Sequence, residues 1–372
     1  MAARTRPPFR ADHVGSLLRP PRLLRAREDH KAGRIDDDEL RGIEDEAIRD
    51  VVRGQEDVGL RSATDGEFRR ASWHMDFIYG LDGIERSEER NQVQFHNEGG
   101  TITFQPVAPA VTGRIGLAET IFGEDFASLQ AMAGDAVAKL TIPSPSMVHY
   151  GSGRARIDAS VYPDLDAFWD DLAAAYAEEL RRLGAMGCTY LQLDDTSLAY
   201  FNDPAQREFI AQMGGDAERQ HERYIATINR ALACRPAGMT VTTHLCRGNY
   251  RSSWRAQGGY DYVAEALFGD LDVDGFFLEY DDERSGSFEP LRHVPPGKVV
   301  VLGIVTTKHG ELESKDTLRA RLDEAATYVD LDQVCISPQC GFSSTVEGNA
   351  LTPDEQLAKL RLVVETAQEV WG

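Results

Sequence analysis

Residues 240–246 read Thr240-Val241-Thr242-Thr243-His244-Leu245-Cys246, a short β-branched run that ends on a histidine and a cysteine. That composition predicts a strand, and in a strand residues i and i+2 point to the same side. His244 and Cys246 therefore face one point. Two further runs finish on chemistry in the same way. Phe276-Phe277-Leu278-Glu279 places a carboxylate directly after an apolar stretch, and Ile336-Ser337-Pro338-Gln339-Cys340-Gly341 ends on a thiol.

Short apolar runs of this kind alternate with longer amphipathic stretches along the whole chain, the signature of βα units. Strands are predicted at Ala11–Ser16, Leu60–Gly66, Ala138–Ile142, Thr189–Asp194, Thr240–Cys246, Gly275–Tyr280, Val299–Val305 and Gln333–Ser337. Helices are predicted at Asp37–Val58, Leu165–Met186 with Asp166 as its cap, Asp203–Cys234, Tyr260–Leu267, Ser314–Tyr328 and Thr352–Trp371. Ser314 and Thr352 stand where helix caps belong. The expected fold class is α/β: a (β/α)8 TIM barrel, although a large doubly wound sheet shares the pattern. Residues 68–137 exceed a simple βα connection. Their middle, Gln92–Val111, alternates around Gly99-Gly100 and predicts an inserted β-hairpin, a lid or interface element after the second strand. The working model is one domain, residues 1–372, carrying that insertion.

Composition narrows the class. The chain has 372 residues, with 61 Asp+Glu against 40 Lys+Arg and a net charge of −21, so nucleic-acid binding is not expected. No apolar stretch approaches the ~18 residues of a membrane helix, and no secretory signal opens the sequence. Five Cys, odd and sparse, point to a reducing compartment. A cytoplasmic enzyme is expected.

A barrel brings every strand C-terminus to one face, so His244, Cys246, Glu279 and Cys340 converge. Two thiolates, one imidazole and one oxygen suit Zn2+. Each residue also has an ordinary reading: a buried cysteine, a hydrogen-bonded histidine, or a strand-end carboxylate paired with Arg284. A Cys2His set with a displaceable oxygen is catalytic by its ligand count. It serves to lower the pKa of water or of a substrate thiol, and thiolate-rich coordination favours thiol alkylation. Thr64-Asp65-Gly66-Glu67 and Gln192-Leu193-Asp194-Asp195 close two other predicted strands. Glu67 and Asp194 could hold an ammonium group, or pair with Arg69 and Arg70. Gly15 and Ser16 could offer N–H and hydroxyl donors to a carboxylate.

So assembled, the sequence resembles the catalytic half of the cobalamin-independent methionine synthase family over nearly its whole length. His244-x-Cys246, Glu279 and Cys340 in Pro338-Gln339-Cys340-Gly341 look like that family's zinc ligands, in order. Gly15, Ser16, Glu67 and Asp194 look like its homocysteine-binding positions. RADHVGSLLRP, TDGEFRR and FFLEYDDERSG (from Arg10, Thr64 and Phe276) resemble a short, single-barrel branch. The resemblance implies a zinc-dependent S-methyltransferase that forms methionine from homocysteine, with 5-methyltetrahydrofolate or a simpler methyl donor. Epoxyalkane:coenzyme M transferase is a relative, so alkyl transfer to another thiol is the rival; a non-catalytic zinc binder is a third reading. A homo-oligomer or a methyl-delivering accessory protein is an open partner.

The sequence departs from the family in three ways. Its length accommodates one barrel, not the two of the full-length plant and bacterial enzyme. The pterin-stacking Trp has no match after the third predicted strand, where Tyr150 with His149, Trp73 and His74 are the candidate donor-pocket residues. The proton-donating His aligns with Lys308, next to His309, and these two are the candidate general acids.

Overall fold

The computed structural model describes residues 4–372. Its strands are β1 (Ser62–Ala63), β2 (Asp82–Arg90), β3 (Val93–Asn97), β4 (Gly100–Phe104), β5 (Val107–Gly116) and β6 (Val137–Pro143). They continue as β7 (Tyr190–Asp194), β8 (Thr240–Leu245), β9 (Gly275–Glu279), β10 (Val299–Val305) and β11 (Val334–Pro338). Seven of them form one sheet in the order β1-β6-β7-β8-β9-β10-β11, with every pairing parallel. Helices cross between most neighbours. The result is a mixed α/β fold around a curled parallel half-barrel, consistent with a TIM-like barrel. Strands covered on both faces read as continuous apolar runs. β10, Val-Val-Val-Leu-Gly-Ile-Val, is buried at each of its positions.

The first predicted strand, Ala11–Ser16, does not form a ladder. Its backbone touches the sheet through one parallel bridge, Ala11 to Ile336, where the Asp12 N–H donates to the Ile336 carbonyl at 3.1 Å. The cause is local. Gly15 takes φ +147°, and Asp12 turns inward to accept from the Tyr190 hydroxyl at 2.8 Å and the Ser62 hydroxyl at 2.9 Å. Side-chain bonds replace the ladder on the β1 edge, where Thr64 Oγ1 donates to the Gly15 carbonyl at 2.6 Å. Residues 10–17 thereby fill the gap between β11 and β1. The barrel interior below them is polar: buried Lys139 pairs with buried Asp12 at 3.3 Å. The second predicted strand, Leu60–Gly66, keeps a ladder only at Ser62–Ala63.

Helix ends follow their caps. Ser314 accepts from the Thr317 N–H, and Thr352 forms a capping box with Glu355, as expected from the sequence. Asp166 is not a cap; it is the first helical residue, and Asp164 accepts from its N–H at 3.0 Å. The predicted helix Asp203–Cys234 is two, Pro204–Gln212 and Gln220–Leu232, parted at Gly214 with φ +82°. The helix predicted at Tyr260–Leu267 lies at Ala264–Asp270.

Within residues 68–137, β3 and β4 form the expected antiparallel hairpin, with Asn97 opposite Gly100. A second ladder, β2 with β5, encloses it. That outer hairpin was hidden by the charged run Glu88-Glu89-Arg90 in β2. β3 is tied to the loop after β8: His96 N–H donates to the Trp254 carbonyl at 2.6 Å, and Trp254 N–H returns the bond at 2.9 Å. No helix among the described residues is long and apolar enough to cross a membrane.

Candidate functional site

β7 and β8 pair in a register that puts Asp194 opposite His244. Asp194 Oδ1 lies 3.3 Å from His244 Nδ1, which leaves the buried Nε2 with no partner among the described residues. Cys246 follows one residue beyond the strand end. Across the barrel mouth, the β10–β11 register shifts between Gly303 and Val305, and the Gln339 N–H donates to the Val305 carbonyl at 2.7 Å. Cys340 then comes to 3.6 Å from Cys246, sulfur to sulfur. The ligand atoms of His244, Cys246 and Cys340 all lie within 4.8 Å of one another, and all three residues are buried.

Gly341 makes this approach feasible. A Cβ there would fall 1.9 Å from Ser16 Oγ. Asn249 ties the two thiol-bearing loops together, donating from Nδ2 to the Gly341 carbonyl at 2.8 Å. The neighbouring Cys340 sulfur and burial push the Cys246 thiol well up. Burial opposes charge on His244, but Cys246 and Asp194 outweigh it and push its pKa up to about 10. A divalent cation reverses both preferences, since ligands bind as thiolate and neutral imidazole.

Ser16, Glu67, Asp194 and Tyr150 line one cavity with the triad. Gly15 stands behind it: a Cβ there would meet Thr141 Cγ2 at 2.7 Å and Glu67 Oε1 at 3.5 Å. Glu67 holds a left-handed backbone, φ 60°, an uncommon conformation for a non-glycine residue. Its Oε1 accepts from Thr141 at 2.9 Å and sits 3.7 Å from Arg70, while Oε2 is buried without a partner. Burial raises the Glu67 pKa to about 7, with Asp194 adding to the rise and Arg70 opposing it.

Four of the sequence-derived candidates lie elsewhere. Glu279 is not brought to the triad. Its Oε2 accepts from the Arg247 N–H at 2.6 Å, and its Oε1 from Arg284 at 2.6 Å, which is the strand-end pairing anticipated as the ordinary alternative. Burial disfavours its charge, but Lys308, Arg284 and Arg247 outweigh that and hold it well below the usual carboxylate range. Lys308 is directed to Asp281 at 2.6 Å and Glu279 at 3.4 Å rather than into the cavity. His309 is exposed. Of the donor-pocket candidates, Trp73 and His74 line the cavity; His149 does not, and instead packs against Trp169 with its Nδ1 2.9 Å from the Tyr224 hydroxyl.

The sequence reading missed the outer wall. Phe95 and Phe104 from the hairpin line the cavity and pack on Tyr250, with ring centroids 5.3 and 4.6 Å apart. Arg255 completes that wall. For Tyr250 alone the signal was the length and aromatic content of residues 247–260, directly after Cys246.

Residues 9–369 match the model of the cobalamin-independent synthase catalytic domain. The uncharacterized protein YxjH of Bacillus subtilis (strain 168) is 47% identical over 365 residues, covering 98% of this chain and 95% of its own. A methionine synthase from Pyrococcus abyssi is 23% identical over 332 residues, covering 88% and 85%. A solved structure from Listeria monocytogenes superposes with a TM-score of 0.78 at 39% identity, covering 99% of this chain and 100% of its own. The family match spans nearly the whole chain, and the chain belongs to the cobalamin-independent synthase catalytic-domain family, the methionine synthase-like methyltransferases.

Proposed function

We propose that the protein is a zinc-dependent S-methyltransferase that converts homocysteine to methionine, as one barrel in which residues 68–137 are an inserted lid. The observation that carries this reading is the buried His244–Cys246–Cys340 triad, with its unpartnered Nε2, in one cavity with two carboxylates. The donor set fits zinc: two sulfurs and a nitrogen, with the imidazole oriented by a carboxylate on its other nitrogen. Three protein ligands leave a fourth position for substrate. When bound, zinc lowers the pKa of a thiol and keeps sulfur nucleophilic at neutral pH.

The chain's own residues supply position. Glu67 and Asp194 accept the substrate ammonium, with the buried Glu67 Oε2 as a ready acceptor. Ser16 and the Gly15 turn face the substrate carboxylate. The aromatic outer wall excludes water while the sulfur attacks the methyl carbon in line; the bond from that carbon to the donor breaks as the C–S bond forms, and its electron pair stays on the donor, which takes up a proton on release to solvent. The methyl donor is 5-methyltetrahydrofolate or a simpler compound.

Elemental analysis of purified protein tests the metal. About one zinc per chain is expected, lost in Cys246→Ser; absence of zinc, with Cys246→Ser no different, would sink the proposal. Titrating zinc-loaded protein with homocysteine should release about one proton per site. Release with coenzyme M and none with homocysteine would move the assignment to another thiol.

A further inference from the structure

Beyond the thiol end of the cavity stands a cation with nothing to pair with. The Arg255 guanidinium lies over the rings of Tyr150, Tyr200 and Phe209, at 5.2, 5.1 and 5.1 Å. Its side chain makes no ion pair and no hydrogen bond among the described residues; only its backbone N–H is used, to the Arg247 carbonyl at 2.8 Å. The neighbouring arginines differ. Arg247 and Arg284 are both committed to Glu279.

The backbone is built to hold Arg255 there. Gly248, two residues after Cys246, has φ +87°, and a Cβ on it would fall 3.0 Å from Arg255 Cβ and 2.8 Å from the Tyr200 hydroxyl. Arg255 also stands at a boundary. Together with Gln92 and Phe209 it lines both the inner cavity and an outer groove that runs along β3. Within the inner cavity, carboxylates occupy the thiol end, at Glu67 and Asp194, and the outer end carries this cation among aromatic rings; the groove beyond holds one carboxylate, Asp203, whose two oxygens are taken by the Ala205 and Gln257 N–H groups. Stacked rings cover the faces of a guanidinium and leave its N–H edge free, the geometry that takes a carboxylate or phosphate in a bidentate grip.

We propose that Arg255 determines donor specificity: it binds an oxyanion carried by the methyl donor, whose apolar or aromatic body lies against the outer wall. This rests on the methyl-transfer reading for the word donor, but the anion site itself does not depend on metal or thiol.

The probes are 2-naphthylacetate and its uncharged isostere 2-naphthylacetamide, followed by intrinsic tryptophan fluorescence on the full chain, with and without zinc. The acid is expected to bind at least about tenfold tighter than the amide, a preference that weakens with salt. Arg255→Met should abolish the preference, and Arg255→Lys should keep part of it. Saturating homocysteine on zinc-loaded protein should leave acid binding unchanged. Equal binding of acid and amide to the unaltered protein overturns the proposal, as does an unchanged preference in Arg255→Met. Displacement of the acid by homocysteine also overturns it, because the oxyanion would then belong to the thiol substrate. If Arg255→Met fails to fold, the salt dependence and Arg255→Lys still decide. A protein that lacks zinc yet discriminates acid from amide would fail the proposed function and keep this one.

Discussion

Asp194 Oδ1 and His244 Nδ1 sit 3.3 Å apart because β7 and β8 set the two residues side by side in the ladder. The carboxylate thus engages Nδ1 and leaves the buried Nε2 without a partner among the described residues, in a ring whose ligand atom lies within 4.8 Å of both sulfurs. Removing the aim without removing the ligand should be costly. Asp194→Ala is expected to weaken zinc affinity by about 10- to 100-fold, measured by competition against a chelator. An unchanged affinity would mean that packing alone orients His244.

Gly341 and Ser16 offer a steric test. Gly341→Ala puts a methyl where Ser16 Oγ stands, 1.9 Å away, and should cost about 1–3 kcal/mol of stability together with metal affinity. Adding Ser16→Ala removes the colliding oxygen, so the double variant should recover most of the loss. Additive losses in the double-mutant cycle would show that the two residues do not compete for that space.

Lys308 gives a test of structure against chemistry. Its ammonium is paired with Asp281, whose side chain is only 2% exposed. Lys308→Met leaves Asp281 an unpaired buried carboxylate and should destabilise the fold by about 3 kcal/mol in urea unfolding. A variant of unaltered stability that loses the alkaline limb of its pH–rate profile, where an essential acid gives up its proton, would instead point to Lys308 as the proton donor.

Glu179 provides a pH signature away from the cavity. Burial raises its pKa to about 7, opposed by the backbone N–H groups of Ile121 and Phe122. Its Oε2 has no partner among the described residues. A carboxyl whose pKa rises on folding stabilises the protein below its unfolded value near 4.5, and that stabilisation fades as pH climbs through about 7. Glu179→Gln should therefore be more stable than the parent at pH 8.5, by up to about 3 kcal/mol, and near-equal at pH 4.5. Urea midpoints at the two pH values measure it; equal gains at both would remove titration as the cause.

Strand ends made the triad legible. The residues that follow an apolar run must emerge at one face of a parallel barrel, so His244, Cys246 and Cys340 could be grouped without knowing their distances. Glu279 obeys the same rule and still points elsewhere. A strand-end carboxylate takes the nearest cations, and Arg247 and Arg284 come from loops whose paths leave no periodic mark. Ala11–Ser16 has strand composition, but its pairing depends on a glycine conformation and on Asp12 finding Tyr190, far away in sequence. Arg255 was invisible for a related reason. Nothing in an arginine's sequence neighbourhood tells a solvated one from one stacked beneath three rings.

The segment that completes the ring, residues 10–17, meets β11 through contacts more than 320 positions apart in the chain, such as Asp12 with Ile336. Contacts so distant in sequence carry the largest closure entropy. Ser16 and Gly341 meet at that same junction, one residue from Cys340. A metal shared by His244, Cys246 and Cys340 would fasten this joint between the two ends of the chain to its middle. Metal occupancy and ring closure would then be a single equilibrium, with the ion acting as a clasp as well as a reagent.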